Sequence, residues 1–214
     1  DSCEIAITEF PFYESFDSGK IGGCWRQEIV NGGDYWKISQ GTGSLSGAPA
    51  SSHSGRYNIV YTTIGKGDMA RISTPMMDIT QLDSPHLSFY HAQSPWNGSS
   101  DKLCVYYKIG LGGNLVKIAE YTESATSWTR RLIPLPAAAK SSELYIVFEG
   151  ESQNGYGIVL DDISVSGDGC HFVDNYKVQQ VWEEMHITWS EPAVSGIESY
   201  TLKRNGQVLA EASR

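Results

Sequence analysis

Apolar and polar residues alternate with a period near two along most of the chain, and clusters of Gly, Ser, Asn and Pro interrupt the alternation at short intervals. The alternating runs lie at residues 35–39 (YWKIS), 56–63 (RYNIVYTT), 70–79 (ARISTPMMDI), 86–93 (HLSFYHAQ) and 102–110 (KLCVYYKIG). They continue at 115–122 (LVKIAEYT), 128–135 (WTRRLIPL), 143–150 (ELYIVFEG) and 157–165 (GIVLDDISV). No stretch sustains a 3.6-residue apolar period. About nine strands at this spacing predict an all-β chain folded as a β-sandwich, most simply a jelly roll.

The pattern changes after Gly167. The run GDGCHFVDNYKVQQ shows no clear alternation, and two further strands are then expected in EMHITWSEP and IESYTLKRNGQVLAE, with RNGQ as a tight turn. Domains are therefore expected at 1–168 and 169–214, with the connecting segment near 168–176.

The last strand of the first domain contains an anomaly. A pleat with period two puts Val159, Ile163 and Val165 on one apolar face and places Asp161 there with them. Asp162 would then point to the other face and is the fallback if the two faces are reversed. A buried carboxylate needs a countercharge or several hydrogen bonds. Both answers are open at this point: a bound cation, or donors from Ser, Tyr or backbone groups at a strand end.

Composition narrows the function classes. The 214 residues include 22 Gly, 12 Tyr and 6 Trp, and the net charge is −9 with only 16 Lys and Arg, which are scattered along the chain. Nucleic acid and anionic membranes are poor partners for such a surface. No apolar run reaches the ~20 residues of a bilayer span, so membrane insertion is not expected. The chain opens on DSCEIAITEF without a basic, apolar leader and is expected to be mature or trimmed.

Four cysteines, Cys3, Cys24, Cys104 and Cys170, lie far apart and lack zinc spacing. An even set in an acidic, Tyr-rich β-protein points to export. Four cysteines allow three pairings, and buried free thiols are the alternative. Asn97-Gly98-Ser99 fits a glycosylation sequon.

Four stretches taken together carry a family resemblance: FYESFDSGKIGGCW at 12–25, GAPASSHSGRY at 47–57, HLSFYHAQSPWNGSSDKLCVYY at 86–107 and LDDISVSGDGC at 160–170. In this order and spacing, residues 10–170 resemble a MAM domain and the bacterial cleaved-adhesin (haemagglutinin) domains of secreted proteases. The resemblance implies a jelly roll with a structural Ca2+ joining the first strand, the loop before SGRY and the last strand. It places Glu14 and Asp161 as carboxylate ligands, with His53 and Arg56 giving backbone carbonyl oxygens. Calcium takes 6–8 oxygen ligands, which suits such a set. Ser52-His53-Ser54 stands where many MAM domains carry DHT, so one carboxylate is missing. Cys24 and Cys170 sit where family cysteines often sit, whereas Cys3 lies further upstream than the usual position and His86 stands where a cysteine is common; Cys3–Cys24 is the preferred bridge, with Cys104–Cys170 as the remaining pairing.

The segment after residue 176 resembles the first half of a fibronectin type III domain, in which Trp189 and Tyr200 would pack between immunoglobulin-like sheets. It supplies less than half of the ~100 residues of such a sandwich. The sequence is therefore expected to be part of a longer protein.

No nucleophile or metalloprotease motif surrounds His53, His86, His91, His171 or His186. His91 reads as a core residue, and His53 and His86 as turn residues. Glu149 and Glu151 flank Gly150, which suggests a solvated turn rather than a glycosidase pair. The fragment is thus expected to be non-catalytic, although a catalytic domain elsewhere in a longer chain is compatible with it. The expected role is adhesion or protein interaction at the cell surface or after secretion. The rival reading is a carbohydrate-binding module or an accessory domain of a secreted protease or hydrolase. Partners would be host or cell-surface proteins or glycans. Trp96, set among Pro, Asn, Gly and Ser, is the candidate ligand-binding aromatic, whereas Trp25, Trp36 and Trp128 read as core.

Overall fold

The computed structural model describes residues 2–43, 47–167, 176–181, 184–189, 199–204 and 207–213. The chain divides into two compact units, Asp1–Gly167 and Asp168–Arg214. The described residues contain no helix long and apolar enough to cross a membrane.

The first unit is a jelly-roll sandwich of two antiparallel sheets. Its strands are β1 Phe12–Glu14, β2 Arg26–Asn31, β3 Lys37–Ser39, β4 Asn58–Tyr61, β5 Met69–Ser73, β6 His86–Gln93, β7 Lys102–Ile109, β8 Val116–Tyr121, β9 Ala125–Pro134, β10 Leu144–Glu151 and β11 Ile158–Ser166. One sheet runs β3-β4-β11-β6-β9, with β1 also on β11, and the other runs β2-β5-β10-β7-β8. The inward side chains include Trp36, Ile59, Ile72, Phe89, Val105 and Phe148, all buried. Gly150 is an interior strand residue because an added Cβ would lie 2.5 Å from the Tyr61 ring. It is not the turn its neighbours imply, and β10 runs through it.

Strand β11 organises the rest of the unit. On one side it pairs with β6 along its length; on the other, β4 covers Ile158–Leu160 and β1 covers Ile163–Val165. A β-bulge falls between Asp161 and Ser164, where one partner gives way to the other, and Asp162 adopts φ 49°. One extra residue reverses the alternation. Leu160, Ile163 and Val165 therefore all face the main core, whereas Val159 packs on the outer face with Val60, Ala92 and Trp128. The shared face expected for Val159, Asp161, Ile163 and Val165 is thus corrected: Asp161 follows Val159 outward. Trp25 and Trp36 are core residues, and Trp128 joins this smaller outer cluster.

The second unit contains two antiparallel pairs, β12 Tyr176–Val181 with β13 Glu184–Trp189, and β14 Ser199–Arg204 with β15 Gln207–Ser213. β12 lies in the run without clear alternation. The hairpin around RNGQ pairs Arg204 with Gln207. The Trp189 and Tyr200 rings lie 5.2 Å apart, and Trp189 is 38% exposed.

Candidate functional site

The bulge in β11 and the loop entering β4 build a polar cluster on the outer face of the first sheet. Asp161 is fully buried there. Its Oδ2 accepts the backbone N–H groups of His53 (2.9 Å) and Ser54 (3.2 Å), and its Oδ1 accepts the N–H of Asp162 (2.8 Å). Asp162 turns to the same loop, against the expectation that it would face the opposite way, because the bulge sets it at positive φ. Its Oδ1 accepts the Ser54 hydroxyl (2.6 Å) and the Tyr13 hydroxyl, and its Oδ2 lies 2.5 Å from His53 Nδ1. The His53 ring stacks on Tyr90 at 3.4 Å and meets Trp128 edge-on at 6.0 Å.

Burial pushes the Asp161 pKa up to about 8, and the adjacent Asp162 carboxylate adds to the shift. Burial acts on Asp162 in the same sense, but hydrogen bonds from His53, Ser54 and Tyr13 outweigh it and hold its pKa below the usual range. The phenol of Tyr13 is pushed up, first by burial and then by Asp162. Burial also raises the pKa of Glu14, whose Oε1 accepts the Phe16 N–H at 2.7 Å.

The same loop is fastened a second time at its far end. Asp17 Oδ1 accepts the N–H groups of Arg56 (2.6 Å) and Tyr57 (3.1 Å). Between these contacts Gly55 adopts φ 52°, and a Cβ there would lie 1.7 Å from Asp17 Oδ2. Only glycine lets the loop pass so close to the carboxylate.

The sequence-predicted residues divide accordingly. His53 and Asp161 meet directly, but through the His53 amide rather than its carbonyl. Glu14 lies opposite Ile163 on β1, and Arg56 is engaged through its amide by Asp17. Among the described residues no group of three or more His, Cys, Asp and Glu is arranged to hold a metal. A carboxylate offers about four lone-pair sites, and Asp161 uses three on N–H groups, leaving one for a monodentate contact. Sequence reasoning gave no role to Tyr13, Ser54 or Asp17 and held Asp162 only as the fallback for Asp161. Their only signal is proximity to the quoted stretches, since the bulge that aims Asp162 leaves no mark on composition.

Cys3 and Cys24 form a disulfide with a Cα–Cα distance of 5.2 Å. Cys104 is a buried free thiol, so it does not take part in the expected second bridge; Cys170 lies outside the described residues, as does His171. The Cys104 Sγ points across the strands to Glu120, 3.5 Å from Oε2.

Trp96 is 48% exposed at the tip of a tight hairpin. Its N–H and carbonyl both pair with Ser99 at 2.9 Å, and the central residues Asn97 and Gly98 have φ 47° and 82°, the signature of a primed turn. Glu149 and Glu151 share the outer face of β10 and are held in ion pairs, Glu149 with Arg71 at 2.6 Å and Glu151 with Lys102.

The sequence profile described as "MAM domain, meprin/A5/mu" matches residues 15–171. No curated protein sequence matches the chain. Among solved structures, the K1 cleaved adhesin domain of Lys-gingipain from Porphyromonas gingivalis W83 superposes with a TM-score of 0.57 at 18% identity, covering 75% of this chain and 100% of that one. The K3 cleaved adhesin domain of the same protein gives 0.52 at 14% identity, covering 73% and 98%. TmCBM61, solved in complex with β-1,4-galactotriose, gives 0.52 at 15% identity, covering 72% and 94%. At these identities the likeness is one of fold.

Proposed function

The chain belongs to the MAM domain family, and from that membership we propose that it is a non-catalytic recognition module of an exported protein, serving adhesion by binding cell-surface glycans or proteins. The observation that carries this reading is the match of the sandwich to the whole of a cleaved adhesin domain. The galactotriose-bound module of the same fold supports the carbohydrate arm. The Cys3–Cys24 bridge supports an oxidising, extracytoplasmic setting. Trp96 is the exposed aromatic offered to a ligand from a rigid turn.

The proposal includes a structural Ca2+ at the β11 bulge. Asp161 and Glu14 would supply carboxylate oxygens, with carbonyls from the loop that carries His53 and Arg56. The ion would provide a countercharge for two adjacent buried carboxylates, Asp161 and Asp162. The segment after residue 176 is read as the beginning of a fibronectin type III domain, with the Trp189–Tyr200 contact as the start of its core.

A glycan array and a cell-binding assay with wild type and Trp96→Ala test the recognition reading. Selective glycan or cell binding that weakens in the variant supports it. Absence of both kinds of binding overturns it.

A further inference from the structure

On a chain of net charge −9, the outer face of β2-β5-β10-β7-β8 gathers positive charge at one place. Arg26 on β2 stands opposite Ser73 on β5, and Ser73 stands opposite Val147 on β10, so the three share one row across that face. Ser73 and Val147 line a groove of about 190 Å3, to which the segment joining β7 and β8 contributes Leu111 and Leu115. Sites for drug-sized ligands have ~300–1,000 Å3, so this space admits one small ring or a short acid.

The charges around the groove do not balance. Arg71 and Lys108 line it, and Glu28 is the one carboxylate among the lining residues. Arg71 is already engaged: its Nε donates to Glu149 at 2.6 Å and its Nη1 to Glu28 at 3.4 Å. Glu149 lies outside the lining and also accepts the Tyr106 hydroxyl at 2.9 Å. The Glu28 side chain is 65% exposed, so water screens much of its charge.

Lys108 and Arg26, in contrast, form no ion pair with any described residue. The Lys108 ammonium donates to the Leu111 carbonyl at 3.1 Å and lies over the Tyr145 ring at 5.5 Å. Glu143 stands beside Gly110 and does not line the groove. Arg26, Arg71 and Lys108 therefore face Glu28 and Glu149 as three cations against two carboxylates. Burial lowers the Lys108 pKa; Glu28 opposes this, and Arg26 and Arg71 add to it. A bound anion would supply the countercharge that the ammonium lacks, whereas a neutral ligand would leave the surplus as it stands. Ser73, 7% exposed, adds a hydroxyl that can donate to the same anion.

We infer that this groove binds the anionic group of one small organic acid, with the Lys108 ammonium as its main partner and Ser73 and Arg26 beside it. The site is separate from Trp96 and from the β11 bulge. Its chemistry suits an acidic sugar and a non-sugar carboxylic acid alike. It is tested on the 1–214 chain at low ionic strength by following the backbone amide signals of Ser73, Lys108, Gly112 and Gly113. The titrants are glucuronate and cyclohexanecarboxylate, each beside an uncharged counterpart, methyl glucoside and cyclohexanemethanol.

The acids are expected to shift these signals saturably at millimolar concentration, and the uncharged counterparts to leave them in place. Lys108→Gln should weaken acid binding by about tenfold, and Arg26→Gln, at an exposed position, by a smaller factor, both with the remaining spectrum unchanged. Any order of affinity between the two acids supports the site: tighter binding of glucuronate assigns it to acidic sugars, and tighter or equal binding of cyclohexanecarboxylate to the carboxylate alone. An equal response to the uncharged counterparts would overturn the inference, as would acid binding that both variants leave unchanged. No response to either acid at these residues would also overturn it, and would leave the recognition reading at Trp96 untouched.

Discussion

His53 engages both members of an adjacent acidic pair, its backbone N–H donating to Asp161 at 2.9 Å and its ring Nδ1 lying 2.5 Å from Asp162. Neighbouring strand residues ordinarily point to opposite faces, and the β11 bulge is what lets one loop hold two carboxylates. Asp162→Ala removes the acceptor shared by Tyr13, His53 and Ser54. Hydrogen bonds to a charged group contribute ~1.5–3 kcal/mol, so a loss of about 2 kcal/mol is expected after relief of the positive φ and of repulsion from Asp161. Urea unfolding measures it. An unchanged midpoint would show that the loop is held elsewhere.

Asp101 fastens the other end of the sandwich. Its carboxylate, 3% exposed, accepts the N–H groups of Gln153 (2.7 Å), Gly155 (2.8 Å) and Gly157 (2.8 Å). Asp101→Ala strands three backbone donors near the start of β11 and should cost about 3 kcal/mol. Asp101→Asn, which keeps an acceptor oxygen, should cost less. Thermal melts of the two variants check the order; equal losses would mean that side-chain shape rather than acceptor capacity matters.

His91 gives the fold an acid-sensitive point. It is fully buried in β6, bonded to Gln93 at 3.1 Å, with the Arg131 Nε 3.4 Å from its Nδ1 and the Tyr121 ring 5.3 Å away. Burial lowers its pKa from 6.5 to about 4, and the positive charge of Arg131 acts in the same direction. Between those values the unfolded chain takes up a proton that the folded chain refuses, so stability is full above pH 6.5 and falls as the pH drops toward 4. The linkage amounts to on the order of 3 kcal/mol. His91→Gln should remove this part of the slope, measured as the difference between wild type and variant in urea midpoints from pH 7 to pH 4. Parallel curves would overturn the assignment.

Nine of the eleven strands of the first unit fall in the runs read from the sequence, because apolar residues recur along them between turn clusters. Strands β1 and β2 are not: β1 has three residues with none buried, and β2 has the burial pattern of an exposed edge, so neither writes an alternation. Asp161 stood out in the sequence for a wrong reason. Its anomaly assumed an unbroken pleat, whereas the bulge after it turns Ile163 and Val165 to the core and leaves Asp161 on the outer face with Val159, where the amides of His53 and Ser54 meet it. Bulges depend on which strands meet at one edge, here β4 and β1 along β11, and that long-range arrangement is not encoded in local periodicity.

The ion at the bulge gives the last prediction. Asp161 and Glu14 are carboxylates that burial disfavours in charged form, and a cation bound only to the folded state would reverse that penalty. At a hundredfold excess over Kd, binding to the native state alone adds about 2.7 kcal/mol, which for a domain of this size raises Tm by about 5–10 °C. Melts in Ca2+ and in chelator should differ by that amount in the wild type. Asp161→Asn keeps the shape but removes the charge and one of the two acceptor oxygens, so its two melts should coincide, at a lower temperature than the wild type in chelator because the amide nitrogen must face an N–H group. Mg2+ should substitute poorly, because it demands octahedral geometry at shorter distances than a loop of carbonyls and two carboxylates provides. Identical wild-type melts in Ca2+ and chelator would leave the amides of His53, Ser54 and Asp162 as the whole answer to the buried charge. A Ca2+ effect that survives in Asp161→Asn would move the ion to another part of the chain.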